Sequence, residues 1–413
     1  MPTAYWAGLL FGPIAAGCAA VVFLASGWRG RTLALSAGLA GLSAAILAFI
    51  QATQSFHRTD VTVAVGLLAI GAYFGGWLLA SSAMPVLLGA RGIAPLGALP
   101  EGDALVDVIL LADAEPERYR LSYVVTLLQA LTDSGALVTP DGALPILYVS
   151  ERARYTAVGG TSPSRPAFRA FAEAVRTKLA SEPGVGEIRI AWCRDGREGL
   201  ATAVRSATAA GRRRVAILPV EIADTHACDH ERRLLDELKP AERDVRTTWS
   251  RALWEETAVA DLVARRAMAA AKGSDVAETG FVLVGHGVPP EWDESHPAAS
   301  EQETYFIQRV RMLLTDRGYA EQNVREAWLE WQLPDVTESV RHLAALGCRR
   351  ICVVPATLLM PSIALMLDVT RSVVMARVDE AAVVEVLPAL GDDPIIVEVV
   401  AERARILIEE LAG

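Results

Sequence analysis

Charge is nearly absent from the first ninety residues, and this break constrains the chain more than any other feature. Between Met1 and Ala90 the charged side chains are Arg29, Arg31, Arg58 and Asp60, whereas from Arg91 onward charge is dense. Three apolar runs fill that stretch, residues 5–28, 33–52 and 61–88. Each supplies the roughly twenty apolar residues that a helix needs to cross the hydrocarbon core. Tyr5, Trp6 and Trp28 stand at run ends, where amphipathic rings prefer the interface. The first run is too long for a signal-peptide core and no basic residue precedes it, so it is expected to be retained.

Orientation follows from the short loops. Arg29 and Arg31 lie between the first two runs and Arg91 follows the third, while Arg58 sits on the other side beside Asp60. The positive-inside rule then puts the N-terminus outside and the C-terminal body in the cytoplasm, as in a bacterial inner-membrane protein. No ionisable residue stands mid-span, which favours an anchor over a transporter. Gly71 and Gly75 form a small-xxx-small pair that would let helices approach closely, or they are plain glycine content; a homodimer is compatible with either. The net charge of −10 argues against a nucleic-acid partner. Five cysteines without a CxxC pair suit reduced thiols and suggest no iron–sulfur cluster.

The remainder reads as α/β. A Gly- and Pro-containing linker, 91–104, leads to short apolar strands at 106–112, 146–149, 188–192, 215–219, 281–284, 324–329, 351–355 and 383–387. Helical periodicity marks 167–180, 199–210, 301–315, 336–346 and 394–411. Buried β-branched runs alternating with helices imply parallel βαβ units. The pattern reads twice, over 105–272 and 276–413. The expected architecture is two similar Rossmann-like parallel-sheet halves forming a cleft, behind a three-helix membrane anchor at 1–90. Ligands of open α/β sheets bind at the carboxyl ends of the strands, so the segments after strands are where chemistry belongs.

Four such segments stand out. Residues 155–163 carry Tyr155, Gly159, Gly160 and Ser162, whose glycines would let backbone approach a flat ligand or would simply make a turn. Residues 218–230 carry Pro219, Glu221, Asp224, His226, Cys228, Asp229 and His230, either a cation-binding set or a solvated helix start. His286 lies between Gly285 and Gly287 at a strand end, where an imidazole can take a proton or bind a metal. Glu330 ends a strand between Trp328 and Trp331, and Asp335 is placed to cap the next helix.

Together these residues resemble the ferrochelatase family. The 155–163 segment resembles the family's Tyr-x-x-Ile-Gly-Gly-x-Ser-Pro stretch, 214–219 its strand ending in Pro, Trp254 its Trp-acidic motif, 281–287 the strand bearing its catalytic His, and 351–355 its late strand. The order agrees over about 105–411. The second half is also similar to the smaller cobalt and sirohydrochlorin chelatases, in Gly285-His286-Gly287 and in Leu329-Glu330 followed by Pro334. Where ferrochelatases carry a His and a Glu after the late strand, this chain has Ser362 and Ala364.

The resemblance implies a class II chelatase of haem or tetrapyrrole biosynthesis, inserting a divalent metal, ferrous iron first and cobalt second, into a tetrapyrrole. No permanently bound cofactor is implied, because the metal is a substrate. His286 and Glu330 would be the catalytic pair, with Glu330 the second base in place of the missing Glu. Tyr155, Gly159, Gly160, Ser162 and Pro219 would contact the ring. His286, His226, His230 and Asp224 would handle the metal. The alternative is a membrane-bound tetrapyrrole or metal binder without catalysis.

Overall fold

The computed structural model describes residues 3–26, 28–56, 59–89, 93–97, 99–100 and 102–412. Arg58 and Arg91, which entered the orientation argument, lie outside the described residues, as do the side chains of Tyr5, Trp6, Trp28, Arg29 and Asp60. Two compact units emerge: Met1–Ala90 with Arg118–Gly160, and Arg91–Glu117 with Thr161–Gly413.

The first unit is helical. Its helices α1 (Thr3–Ala25), α2 (Trp28–Phe56) and α3 (Thr59–Leu88) follow the three apolar runs. Each contains a stretch long and apolar enough to cross a membrane: Ala7–Ala25, Arg31–Gln51 and Val63–Leu88, with mean hydropathy 2.1, 2.2 and 1.9. Large apolar side chains such as Leu33, Leu47, Leu67 and Leu79 are exposed, the inverse of a water-soluble bundle. The helices cross where side chains are missing. A Cβ on Gly12 would meet the Gly41 carbonyl at 2.6 Å, one on Gly17 the Tyr73 carbonyl at 2.0 Å, and one on Gly76 the Ile14 carbonyl at 2.1 Å. Gly71 and Gly75 face open space, so the small-residue pair read from the sequence is not the one that brings these helices together.

Helices α4 (Leu121–Asp133) and α5 (Leu144–Ala157) belong to the same unit. Val21, Ala25 and Met84, near the C-terminal ends of α1 and α3, share a core with Tyr123, Val124, Leu128 and Tyr148. The last carbonyls of α1 have no intrahelical donors. The Arg152 guanidinium donates to the carbonyls of Leu24 and Ser26, and the Tyr119 hydroxyl to that of Ala25. Residues 118–160, which the sequence reading placed in the first α/β half, thus pack with the three apolar helices. The expected strand at 146–149 is instead part of α5. Pro145 opens this helix, and the buried Leu144, Tyr148 and Tyr155 fall on a helical spacing that the β-branched appearance of Ile-Leu-Tyr-Val conceals.

The second unit holds two parallel sheets. The first half runs β1 (Asp103–Ala112), α6 (Ser164–Leu179), β2 (Val185–Trp192), α7 (Leu200–Ala209), β3 (Arg212–Pro219), α8 (His226–Glu237), β4 (Arg246–Trp249) and α9 (Thr257–Ala270). The second runs β5 (Thr279–Gly285), α10 (Pro290–Ser295), α11 (Ala298–Thr315), β6 (Val324–Trp328), α12 (Val336–Ala345), β7 (Arg350–Pro355), α13 (Thr370–Ala376), β8 (Val383–Val386) and α14 (Pro394–Ala412). Strand orders are β2-β1-β3-β4 and β6-β5-β7-β8, the same winding twice. The expected α/β class and two similar parallel-sheet halves are therefore present, each with four strands. Strand β4 went unread because Arg-Thr-Thr-Trp is a short edge strand without an apolar run.

The central strands are buried on both faces, which is why β1 and β5 read as unbroken apolar runs. The exception is Asp107, fully buried in β1. Its carboxylate accepts from Arg189 (2.7 Å), Arg212 (2.8 Å) and the Glu187 amide (2.8 Å), tying β1 to both neighbours. One core joins the halves: Val106, Phe171 and Leu179 of the first half with Phe281, Phe306, Val400 and Leu407 of the second.

Candidate active site at the carboxyl ends of the two sheets

The register makes the two sheets comparable residue by residue. Ala112 pairs with Trp192 and Leu111 with Pro219 in the first; Gly285 pairs with Trp328 and Val284 with Pro355 in the second. Asp113 therefore occupies in the first sheet the place of His286 in the second. By the same count Arg194 matches Glu330, and Glu221 matches Thr357. Backbone pairing past the strand ends repeats too: Val220 N to Leu111 O at 2.8 Å and Ala356 N to Val284 O at 2.9 Å, Cys193 N to Ala112 O at 2.9 Å and Leu329 N to Gly285 O at 3.0 Å.

His286 is the most tightly positioned of the expected residues. Its amide donates to Thr357 Oγ1 (3.1 Å) and to Glu303 Oε1 (3.2 Å), the Gly287 amide donates to Glu303 Oε2 (3.1 Å), and the Thr357 hydroxyl donates to Glu303 Oε1 (2.6 Å). A buried carboxylate on α11 thus fixes the loop that carries the imidazole. Nδ1 lies 2.9 Å from the Gly287 carbonyl, an acceptor only, so Nδ1 bears the hydrogen and Nε2 keeps the free lone pair. The side chain stays exposed at the end of β5. Burial opposes its protonation, but the carboxylates of Glu330 and Glu303, the Gly287 carbonyl and Asp113 outweigh burial and raise its pKa above the ordinary value.

The glycines beside His286 serve packing. A Cβ on Gly285 would strike the Trp328 ring at 2.5 Å, and one on Gly287, whose φ is +80°, would strike the Glu330 carbonyl at 2.2 Å. Glu330 follows β6 with its amide on the His286 carbonyl (3.1 Å) and its side chain exposed. Asp335 caps α12 through the Glu338 amide (2.6 Å), as the sequence suggests.

On the first sheet the Asp113 amide donates to Glu221 Oε1 (2.8 Å), and Arg194 donates to Asp113 Oδ1 (2.6 Å). Burial and the Asp113 carboxylate push the Glu221 carboxyl up to about 8, against the Asp113 amide, His286 and Arg194, which pull it down. Arg194 is itself held by a buried carboxylate. Glu231 of α8 accepts from the amides of Arg194 (2.9 Å) and Leu200 (3.2 Å), and burial pushes its carboxyl up to about 7. His286 lies near enough to the first sheet's strand ends to feel the Asp113 carboxylate and to lower the Glu221 carboxyl.

The other expected residues are placed differently. Tyr155 is buried at the end of α5, edge-on to Tyr119, with Gly159 and Gly160 forming the turn behind it. Ser162 is buried, donates to Glu115 Oε1 (2.6 Å) and accepts from the Ser164 amide (3.1 Å). Glu115 also accepts from the Ile363 amide (2.9 Å), which ties the first sheet's loop to the 362–364 segment. Pro219 is buried in its strand. Asp224 pairs with Arg232 (3.1 Å). His226 stacks on Trp292 (4.2 Å) edge-on to His296, and burial and His296 lower it to about 4; His230 is also lowered, first by burial. Among the described residues no three His, Cys, Asp or Glu side chains converge as a metal site, so the expected cation set is not assembled. Ser362 accepts from the Leu365 amide (3.2 Å) and opens a helical turn.

Sequence reasoning missed Glu303, Thr357, Asp113, Arg194 and Glu231. Asp113 and Arg194 could have been found by counting past the strand ends; Glu303 and Glu231 sit mid-helix and give no signal.

No curated protein matches the chain. Among solved structures it is similar to SirB from Bacillus subtilis with Fe3+ (TM-score 0.48, 14% identity, 74% of this chain and 96% of that one). Another is the sirohydrochlorin chelatase SirB from Bacillus subtilis subspecies spizizenii in complex with cobalt (0.47, 11%, 74% and 96%). A third is a multi-domain Deinococcus radiodurans protein described as structurally similar to chelatases (0.46, 17%, 75% and 57%). Residues 280–407, which contain His286, Glu303, Glu330 and Thr357, match the CbiX family model.

Proposed function

We propose that this chain is a membrane-anchored metal chelatase that inserts a divalent cation, iron first and cobalt second, into a tetrapyrrole. The observation that carries this reading is the CbiX match over the half that holds a clamped His286 with a free Nε2. The same half bears the Gly-His-Gly and Leu-Glu pieces that resemble cobalt and sirohydrochlorin chelatases.

Insertion exchanges two pyrrole protons for one cation. A rigid cleft favours a bent ring, whose N–H groups leave the ring plane. His286 Nε2 takes one proton and becomes an imidazolium, which the Glu330 and Glu303 carboxylates stabilise. The exposed Glu330 carboxylate also attracts the incoming cation. An anchor of three apolar helices suits a ring that partitions into bilayers. Arg29 and Arg31, between the first two apolar runs, support a cytoplasmic body by the positive-inside rule.

Ser362 and Ala364, where ferrochelatases carry His and Glu, favour a second reading, a binder without catalysis. Detergent-solubilised protein supplied with ferrous iron, cobalt or zinc and with protoporphyrin, coproporphyrin or sirohydrochlorin separates the two. A metallated product spectrum is expected for at least one pair. Tight ring binding with no product for any pair would establish the binder.

A further inference from the structure

Two protons must leave the ring, yet the second sheet offers one imidazole placed to take them. Ser362 and Ala364 carry no base, and Glu330 stands on the same side as His286, where its charge serves the imidazolium. The first sheet supplies what is missing. Asp113, Arg194 and Glu221 occupy the places of His286, Glu330 and Thr357, so the two sheets end in two copies of one loop arrangement with different side chains. In the second copy Thr357 supports the His286 amide from the neighbouring strand end (3.1 Å); in the first, Glu221 supports the Asp113 amide in the same way (2.8 Å). A threonine is enough for that support. A glutamate provides the same acceptor through Oε1 and has Oε2 to spare.

We infer that Glu221 is the second proton acceptor of the cleft, taking a pyrrole proton from the side of the ring opposite His286. This rests on the chelatase reading and deepens it. The step balances without a further reactant: one N–H bond breaks to Nε2 of His286, the other breaks to Oε2 of Glu221, and the two nitrogen lone pairs bind the cation. Both protons then pass to water. The groups facing Glu221 are Asp113 after β1, Arg194 after β2 and His286 after β5. Arg194 donates to Asp113 (2.6 Å) and also lowers the Glu221 carboxyl, but less than burial and Asp113 raise it. Burial makes this carboxylate a stronger base than one in water.

The test uses full-length protein in detergent with cobalt and sirohydrochlorin. Glu221→Gln keeps an oxygen acceptor for the Asp113 amide and removes only the base. The expected result is a fall in kcat of about 100-fold, the lower range for a general base, with ring affinity and thermal midpoint close to the parent. The parent kcat should rise with pH towards about 8, and that rise should vanish in Glu221→Gln. Parent-like kcat and pH profile in Glu221→Gln would overturn the inference and leave a purely supporting role. No product from the parent protein with any metal and ring pair would instead overturn the chelatase reading, and this inference with it.

Discussion

At the scale of single residues, the site is built by buried carboxylates that hold loops. Glu303 accepts from two successive amides and a hydroxyl, so Glu303→Ala strands the Gly287 amide and leaves the His286 amide with Thr357 Oγ1 alone. Each unsatisfied group costs about 1–3 kcal/mol, and the imidazole loses its fixed direction. The expected outcome is a lower thermal midpoint together with at least a tenfold loss of kcat in a metal-insertion assay; parent-like values in both would refute the clamp. Glu231 makes a prediction about pH. Its carboxyl is raised to about 7 from an ordinary 4.5, so the folded state binds that proton more tightly than the unfolded chain. The resulting stability is complete below about 4.5 and disappears as pH rises through about 7. His226, lowered to about 4, works in the opposite sense: its contribution is present above 6.5 and declines below. Above 6.5 His226 no longer changes, while the raised Glu231, Glu221 and His286 all lose their contribution as pH rises, so thermal stability should fall between pH 6.5 and 8. A Glu231→Gln variant should flatten that fall, which thermal denaturation across the range would read.

Elements show what a sequence reveals and what it conceals. The β1, β3, β5 and β7 strands were legible because burial on both faces demands continuous apolar runs, and α6, α11, α12 and α14 because one apolar stripe must recur on a helical period. Residues 146–149 misled because four consecutive apolar or aromatic side chains suit either a strand or the buried stripe of a helix. His286 and Glu330 were visible as odd residue types at strand ends. Glu303, Glu231 and Asp113 were not, because acidic residues in helices and loops are ordinarily solvated. Asp107 was hidden for a related reason: a lone carboxylate in an apolar strand shows nothing of the two arginines that neutralise it. Asp107→Ala removes the shared partner of Arg189 and Arg212, and breaking such a buried pair costs about 3–5 kcal/mol. Denaturation should show a loss of that size, and less than 1 kcal/mol would mean that the arginines find water instead. Among the apolar helices, Gly76→Val forces α3 away from the Ile14 carbonyl and should lower the thermal midpoint in detergent, whereas Gly71→Val, facing open space, should change little.

The whole molecule combines three long apolar helices with a duplicated α/β body, and its functional reading depends on both. The short-loop arginines predict that an epitope at the N-terminus is accessible from outside intact spheroplasts while the C-terminal body is protected from added protease. The reverse pattern would contradict the assigned orientation. The winding is duplicated, and equivalent backbone positions carry Asp, Arg and Glu in the first sheet and His, Glu and Thr in the second, which lies within the residues that match the CbiX model. Everything proposed about chemistry depends on His286 having its Nε2 free in that cleft. The most direct measurement is metal insertion by His286→Ala beside the parent protein, with ring binding followed in the same samples. The account predicts that turnover is lost while the ring still binds with nearly parental affinity. Undiminished turnover in His286→Ala would contradict it.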